Sequence, residues 1–216
     1  MKLYSKYLII ICFLAFSLNM AHAQDKKAEQ ILKTIANKYK SFKSYKADFV
    51  YVLENKKDKL NINKKGLLYV KQGKYKLEMG PLTIICDNKT LWNYNKDNNE
   101  VQISDYDPNS AEINPSKLFM VYEKGFLSQF IEEKTEKGKI IQLVELTPTD
   151  KKKSYYKLKL YIDKSLSQIV RSKIFDKNGN IYTYEINKFQ GHIKIKDNFF
   201  AFNKKQYPGV EVLDLR

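Results

Sequence analysis

Cysteine and histidine are scarce in this 216-residue chain, with two of each. Cys12 and His22 lie in the first 23 residues, which read below as a removable segment, so Cys86 and His192 are what remains. A lone cysteine closes no intramolecular disulfide, and stability must come from packing. One histidine and one cysteine provide no metal-ligand spacing, so no metal site is expected. No Gly-x-Ser-x-Gly, His-Glu-x-x-His or phosphate-cradling glycine loop occurs, and nothing singles out a pair of carboxylates for hydrolysis. Cys86 alternates with Leu82 and Ile84 on an apolar face and reads as inert packing. His192 follows Gly191 near a strand start and reads as a surface or turn residue. Proline (5) and glycine (8) are few, and no Pro-, Gly- or Ser-rich linker or internal repeat divides the chain. The expectation is one domain with no catalytic residue and no cofactor.

Long hydrophobic runs are also missing, with one exception. Residues 8–18 (Leu-Ile-Ile-Ile-Cys-Phe-Leu-Ala-Phe-Ser-Leu) are apolar, follow Lys2 and Lys6, and precede Ala21-His22-Ala23, a small-x-small cleavage site. The run is well short of the roughly 20 residues that span a bilayer. Residues 1–23 therefore read as a secretory signal peptide, with a mature domain over 24–216. Cys12 sits inside the apolar run, away from any lipid attachment box. Acidic residues are outnumbered, 39 Lys plus Arg against 24 Asp plus Glu, for a net charge of +15. Export to a periplasm takes nucleic acid out of the partners that such a charge invites. Lysines such as Lys46, Lys74, Lys76, Lys157 and Lys159 alternate with apolar residues, the pattern of a solvated sheet face.

The periodicity of the rest gives a fold. From Asp25 to Phe42, residues Ala28, Ile31, Leu32, Ile35, Tyr39 and Phe42 share one helical face, with Asp25 able to cap the start. Alternation then takes over. Strands are predicted at 45–54, 66–71, 74–79, 82–86, 90–94, 127–133, 139–146, 155–163, 168–175 and 180–189, joined by turn signals such as Asp87-Asn88 and Lys137-Gly138. About ten antiparallel strands in one sheet should curl. A second helix is predicted from Asn114-Pro115 to Gly125, and its run Leu118 to Tyr122 is apolar almost all round. Two apolar helices beside one curled sheet suggest a cup with a lid. Phe49, Tyr51, Leu53, Tyr75, Leu77, Met79, Ile84, Cys86, Trp92 and Tyr94, with Leu118, Phe119 and Tyr122 from the lid, are the candidate lining of its apolar inside. Such positions are core by default; a single sheet with few helices has little else to fill its inside.

Several segments carry a resemblance. Gly66-Leu67-Leu68-Tyr69-Val70-Lys71, Asp87-Asn88-Lys89-Thr90-Leu91-Trp92-Asn93-Tyr94-Asn95, Asn114-Pro115-Ser116-Lys117-Leu118-Phe119, Phe200-Ala201-Phe202 and Pro208-Gly209-Val210-Glu211-Val212 resemble, in order and spacing, the periplasmic outer-membrane lipoprotein carriers, the LolA family. The resemblance spans most of residues 26–215. It implies an incomplete, half β-barrel with a helical lid and an apolar interior that takes lipoprotein acyl chains and shields them between the inner and outer membranes. It also implies an inner-membrane lipoprotein-releasing transporter and an outer-membrane acceptor as partners of a monomer. Family carriers commonly hold an arginine, thought to latch the lid, where this chain has Gln72. Gln72 carries no charge and donates fewer hydrogen bonds. That departure keeps two alternatives in view: a carrier of another lipid, and a non-catalytic periplasmic sensor or adaptor on the same scaffold.

Overall fold

A computed structural model describes residues 25–107 and 125–216 of the chain. The expected signal peptide and the expected lid helix, with Leu118, Phe119 and Tyr122, lie outside the described residues. Helix α1 (Lys26–Ser41) starts where expected, because Asp25 Oδ1 accepts from the amides of Lys27 (2.9 Å) and Ala28 (3.2 Å). Its stripe Ala28, Leu32, Ile35, Ala36 and Tyr39 is buried. Burying a side chain such as Leu32 or Ile35 contributes on the order of 1.5–3 kcal/mol.

Strands follow in pairs: β1 (Ser44–Asn55) with β2 (Leu60–Lys71), then β3 (Lys74–Met79) with β4 (Leu82–Cys86), and β5 (Thr90–Asn95) with β6 (Glu100–Asp105). Beyond the undescribed stretch come β7 (Phe126–Glu136), β8 (Lys139–Pro148), β9 (Tyr155–Asp163), β10 (Gln168–Asp176) and β11 (Asn180–Gly191). Two 3₁₀ turns (Asp197–Phe200, Lys204–Gln206) lead to β12 (Glu211–Asp214). All twelve belong to one sheet in the order β12-β6-β5-β4-β3-β2-β1-β11-β10-β9-β8-β7. Its two ends are not paired to each other, so the fold is mainly β and the barrel is incomplete.

The structure adds β6 and β12 to the ten expected strands, which pair antiparallel as expected, while the added β12 runs parallel to β6. The C-terminal segment crosses the outer face and reaches that edge at the start of β6, where Asn99 Nδ2 donates to the Pro208 carbonyl and the Glu211 amide to the Asn99 carbonyl, so it continues in the direction of β6. Tight turns behave as their residues dictate. Gln72 (φ 50°) and Gly73 (φ 84°) join β2 to β3, and Lys137 (φ 50°) and Gly138 (φ 76°) join β7 to β8; both are two-residue turns with two left-handed positions.

Most of the core lies between α1 and one sheet face, the inner face. It combines the helix stripe with Tyr45, Ala47, Phe49, Leu68, Val70, Tyr75, Leu77 and Cys86 from one half of the sheet, and Val144, Leu146, Leu158, Leu160, Ile162, Ile169 and Ile174 from the other. The helix starts at the β7 edge, where Asp25 Oδ2 accepts from the Phe130 amide (2.8 Å) and Lys27 Nζ stands 3.5 Å from the Phe130 ring centre. It ends over β1 and β11, where Tyr39 makes edge contacts with Tyr45 and Phe189. A smaller cluster on the outer face packs Tyr94, Val101 and Val210 with Trp92, Ile103, Phe202 and Tyr207.

Candidate ligand-binding site

Strand register decides which side chains share a face. Phe49 pairs with Gly66, Gly66 with Met79, and Met79 with Leu82; Ala47, Leu68, Leu77 and Ile84 form the next row, and Tyr45, Val70, Tyr75 and Cys86 the one beyond. Phe49, Tyr51, Leu53, Tyr75, Leu77, Met79, Ile84 and Cys86 therefore all stand on the inner face, as the alternation predicts. Phe49, Tyr75, Leu77 and Cys86 are buried, whereas Tyr51, Leu53, Met79 and Ile84 are half-buried. The Phe49 ring lies directly over Gly66, where an added Cβ would come within 2.2 Å of Phe49 Cζ. Glycine is the residue that permits this close approach across the strand pair.

Trp92 and Tyr94 are on the other side. The β4–β5 register pairs Cys86 with Leu91 and Ile85 with Trp92, so Leu91 continues the inner face and Trp92 turns outward. Tyr94 packs instead against Tyr207 in a tilted pair, with ring centres 4.4 Å apart, and its hydroxyl donates to Asn99 Oδ1 (3.1 Å). Register also places Leu91, Lys64 and Tyr184 on the inner face, along with Leu82, which alternation already sets beside Ile84 and Cys86.

Cys86 is free and buried, and burial pushes its thiol pKa up. It accepts from the Asn88 amide at 3.4 Å, a packed position with no thiolate character. Gln72 is an exposed turn residue whose main-chain oxygen accepts from Asn88 Nδ2 (3.0 Å). Among the described residues, no group of three or more His, Cys, Asp and Glu is placed to hold a metal. Aromatic side chains continue the inner face toward the β1–β2 and β10–β11 turns. Tyr51 lies 5.3 Å from Tyr184 and 6.5 Å from Tyr182 between ring centres. The Tyr182 hydroxyl donates to Asp176 Oδ2 (3.1 Å), which fixes that ring. A separate groove of about 360 Å³ runs between α1 and the sheet beside Ile35, Gln142 and Ile162. Its rim is bridged by Lys164 and Glu133 (2.9 Å), the contact that lowers the Glu133 pKa.

Among the described residues the face thus has an apolar floor and one covering helix, an arrangement suited to holding apolar material. A sequence model of the outer membrane lipoprotein carrier protein LolA matches residues 40–203. The chain belongs to the LolA family. It is also 26% identical over 201 residues to the uncharacterized protein MJ0687 of Methanocaldococcus jannaschii, with 91% of this chain and 58% of that protein covered. It therefore spans well under two thirds of the curated relative's length. Among solved structures, an uncharacterized conserved protein from Thermus thermophilus is similar with a TM-score of 0.58 at 12% identity, covering 88% of this chain and 99% of that one. A DUF1329 family protein from Desulfovibrio piger follows, with a TM-score of 0.53 at 10% identity and coverage of 82% and 97%. At those identities the likeness is one of fold, and the fold is that of this LolA-family chain: a binding scaffold built on one open sheet.

Proposed function

We propose that this LolA-family protein is a periplasmic carrier that shields the acyl chains of lipoproteins against its inner face and moves them from the inner to the outer membrane. The carrying observation is the contrast within that face. Tyr51, Leu53, Met79, Leu82 and Ile84 stay half-buried although they are continuous with a fully buried core. Apolar contact is non-directional, so one such surface accepts different passengers. At about 0.8 kcal/mol per buried CH₂, an acylated protein cannot cross an aqueous compartment with its chains exposed. In this reading residues 1–23 are removed on export, residues 24–216 are the mature domain, a transporter loads it and an outer-membrane acceptor empties it. Gln72 stands where a latching arginine is common in the family, so the empty carrier opens readily and Gln72→Arg slows loading.

The test is incubation of the purified mature protein with inner-membrane vesicles carrying labelled lipoproteins, followed by mass spectrometry of the soluble fraction. Acylated proteins there support the proposal. Phospholipid alone replaces it with a carrier of another lipid, and an unlipidated protein replaces it with an adaptor.

A further inference from the structure

Three loops lie side by side at one end of the strands: 55–60 between β1 and β2, 176–180 between β10 and β11, and 148–155 between β8 and β9. Asn55 Nδ2 donates to Asn180 Oδ1 (2.8 Å), which ties the first loop to the second. The Lys177 amide donates to the Ser154 carbonyl (3.0 Å), which ties the second to the third. The inner face opens toward this rim. Leu60 pairs with Asn55 in the outermost inner row, and the next row in, Ile62, Leu53 and Tyr182, is half-buried.

Each of the three loops is basic. Lys56, Lys57 and Lys59 stand on the first, Lys177 on the second and the run Lys151-Lys152-Lys153 on the third, all exposed except the half-buried Lys153. Against them stand Asp58, Asp150 and the buried Asp176. Among the described residues, none of these seven lysines forms a salt bridge. At the opposite ends of the strands Lys71 and Lys74 are paired with Asp197, Lys139 with Asp163 and Lys164 with Glu133, while Lys43, Lys137 and Lys194 stand singly on separate connections. Apolar side chains stand among the clustered lysines. Leu60, next to Lys59, is 38% exposed, and Tyr156 is 49% exposed, left without a ladder partner by the register shift at Phe175/Asp176.

We propose that this rim seats the protein on an anionic phospholipid surface, with the open end of the inner face toward the bilayer. A lysine near such a surface strengthens binding by about fivefold, and exposed aliphatic and tyrosine side chains settle in the interfacial layer. Composition favours lipid over a protein partner. The three loops hold no arginine, the residue of planar, bidentate recognition, and lysine is depleted in protein interfaces. Flexible point charges suit a fluid array of phosphates. The proposal deepens the carrier reading and rests on it in one respect, the orientation: acyl chains then pass between bilayer and inner face without crossing water.

The experiment sediments the purified mature protein with vesicles of phosphatidylcholine alone and of equal parts phosphatidylcholine and phosphatidylglycerol. The wild type should bind the anionic vesicles about tenfold or more tighter, and added salt should erase the difference. Replacing Lys151, Lys152 and Lys153 together by Gln, or Lys56, Lys57 and Lys59 together by Gln, should lower that binding about tenfold or more. Replacing Lys43, Lys137 and Lys194 together by Gln removes the same charge from the opposite ends of the strands and should lower it much less. Circular dichroism checks that each variant is folded, and each should bind the fluorescent fatty acid cis-parinaric acid as the wild type does. Equal binding to both vesicles, or equal losses from the rim and opposite-end variants, overturns the proposal and leaves the carrier reading intact. A wild type that prefers the anionic vesicles but binds no cis-parinaric acid overturns the carrier reading, and with it the orientation, and leaves the docking surface standing.

Discussion

Two halves of one sheet face follow the same alternation and end differently. On the α1 side, Val144, Leu146, Leu158, Leu160, Ile162, Ile169 and Ile174 are all at 2% exposure or less. On β1 to β4, the equivalent positions Tyr51, Leu53, Met79, Leu82 and Ile84 keep partial exposure. Alternation therefore says which residues share a face, and the cover laid over that face decides which are structural and which are free to take a ligand. The covered half is where substitutions should cost stability; the half-buried part of the other half is where they should cost binding.

The largest effect tests the covered half. Leu160→Asp places an unpaired carboxylate where Leu160 is fully buried, and no folded protein is expected by circular dichroism, since an uncompensated buried charge costs several kcal/mol. A folded Leu160→Asp variant would erase the distinction between the halves. Next, Ile84→Glu should leave the thermal transition within a few degrees of wild type while lowering affinity for an acyl probe by about a hundredfold, because the carboxylate keeps water but spoils the floor. Loss of both fold and binding would move Ile84 to the structural side.

A smaller effect probes how α1 is held. Asp25→Ala removes the helix cap together with the Phe130 contact, and should cost about 1–2 kcal/mol in denaturant unfolding. The Phe130 amide hydrogen bond is the main cause that lowers the Asp25 pKa in the folded chain. A depressed carboxylate pKa gives stability that is present above the unfolded value, about 3.9, and lost as pH falls through the folded value. The wild type should therefore lose more stability than Asp25→Ala on acidification below pH 4. The smallest effect on binding belongs to the outer face: Trp92→Ala should leave acyl-probe affinity unchanged, and a loss there would show that this face takes part in the site.

The helix and most strands were legible because their signals are local. Asp25 followed by the stripe Ala28, Leu32, Ile35 and Tyr39 needs only a period of 3.6, and Tyr45 to Leu53 needs only a period of two. Trp92 and Tyr94 were misplaced because parity does not carry across a hairpin unaided. Cys86 pairs with Leu91, so even-numbered inner positions on β4 continue as odd-numbered ones on β5. Counting the loop at Asp87, whose carboxylate accepts from Lys89 and Thr90, would have turned both aromatics outward. β6 offers two apolar residues, Val101 and Ile103, in six, and β12 has four residues that are all exposed, too little pattern for a period to register.

The parallel pairing of β12 with β6 has a consequence for how the chain is made. Asn99, just before β6, waits for Pro208, 109 positions later, before its side chain finds its main-chain acceptor. Until residues 211–214 exist, β6 is an open edge whose unpaired amides and carbonyls can recruit a strand from another molecule. Four residues, Glu211-Val212-Leu213-Asp214, then occupy that edge, with an acidic side chain at each end. Shortness and charge make β12 a poor template for any further strand, so the segment acts as a stopper against edge-to-edge aggregation, and synthesis halted before it would leave a chain prone to clump.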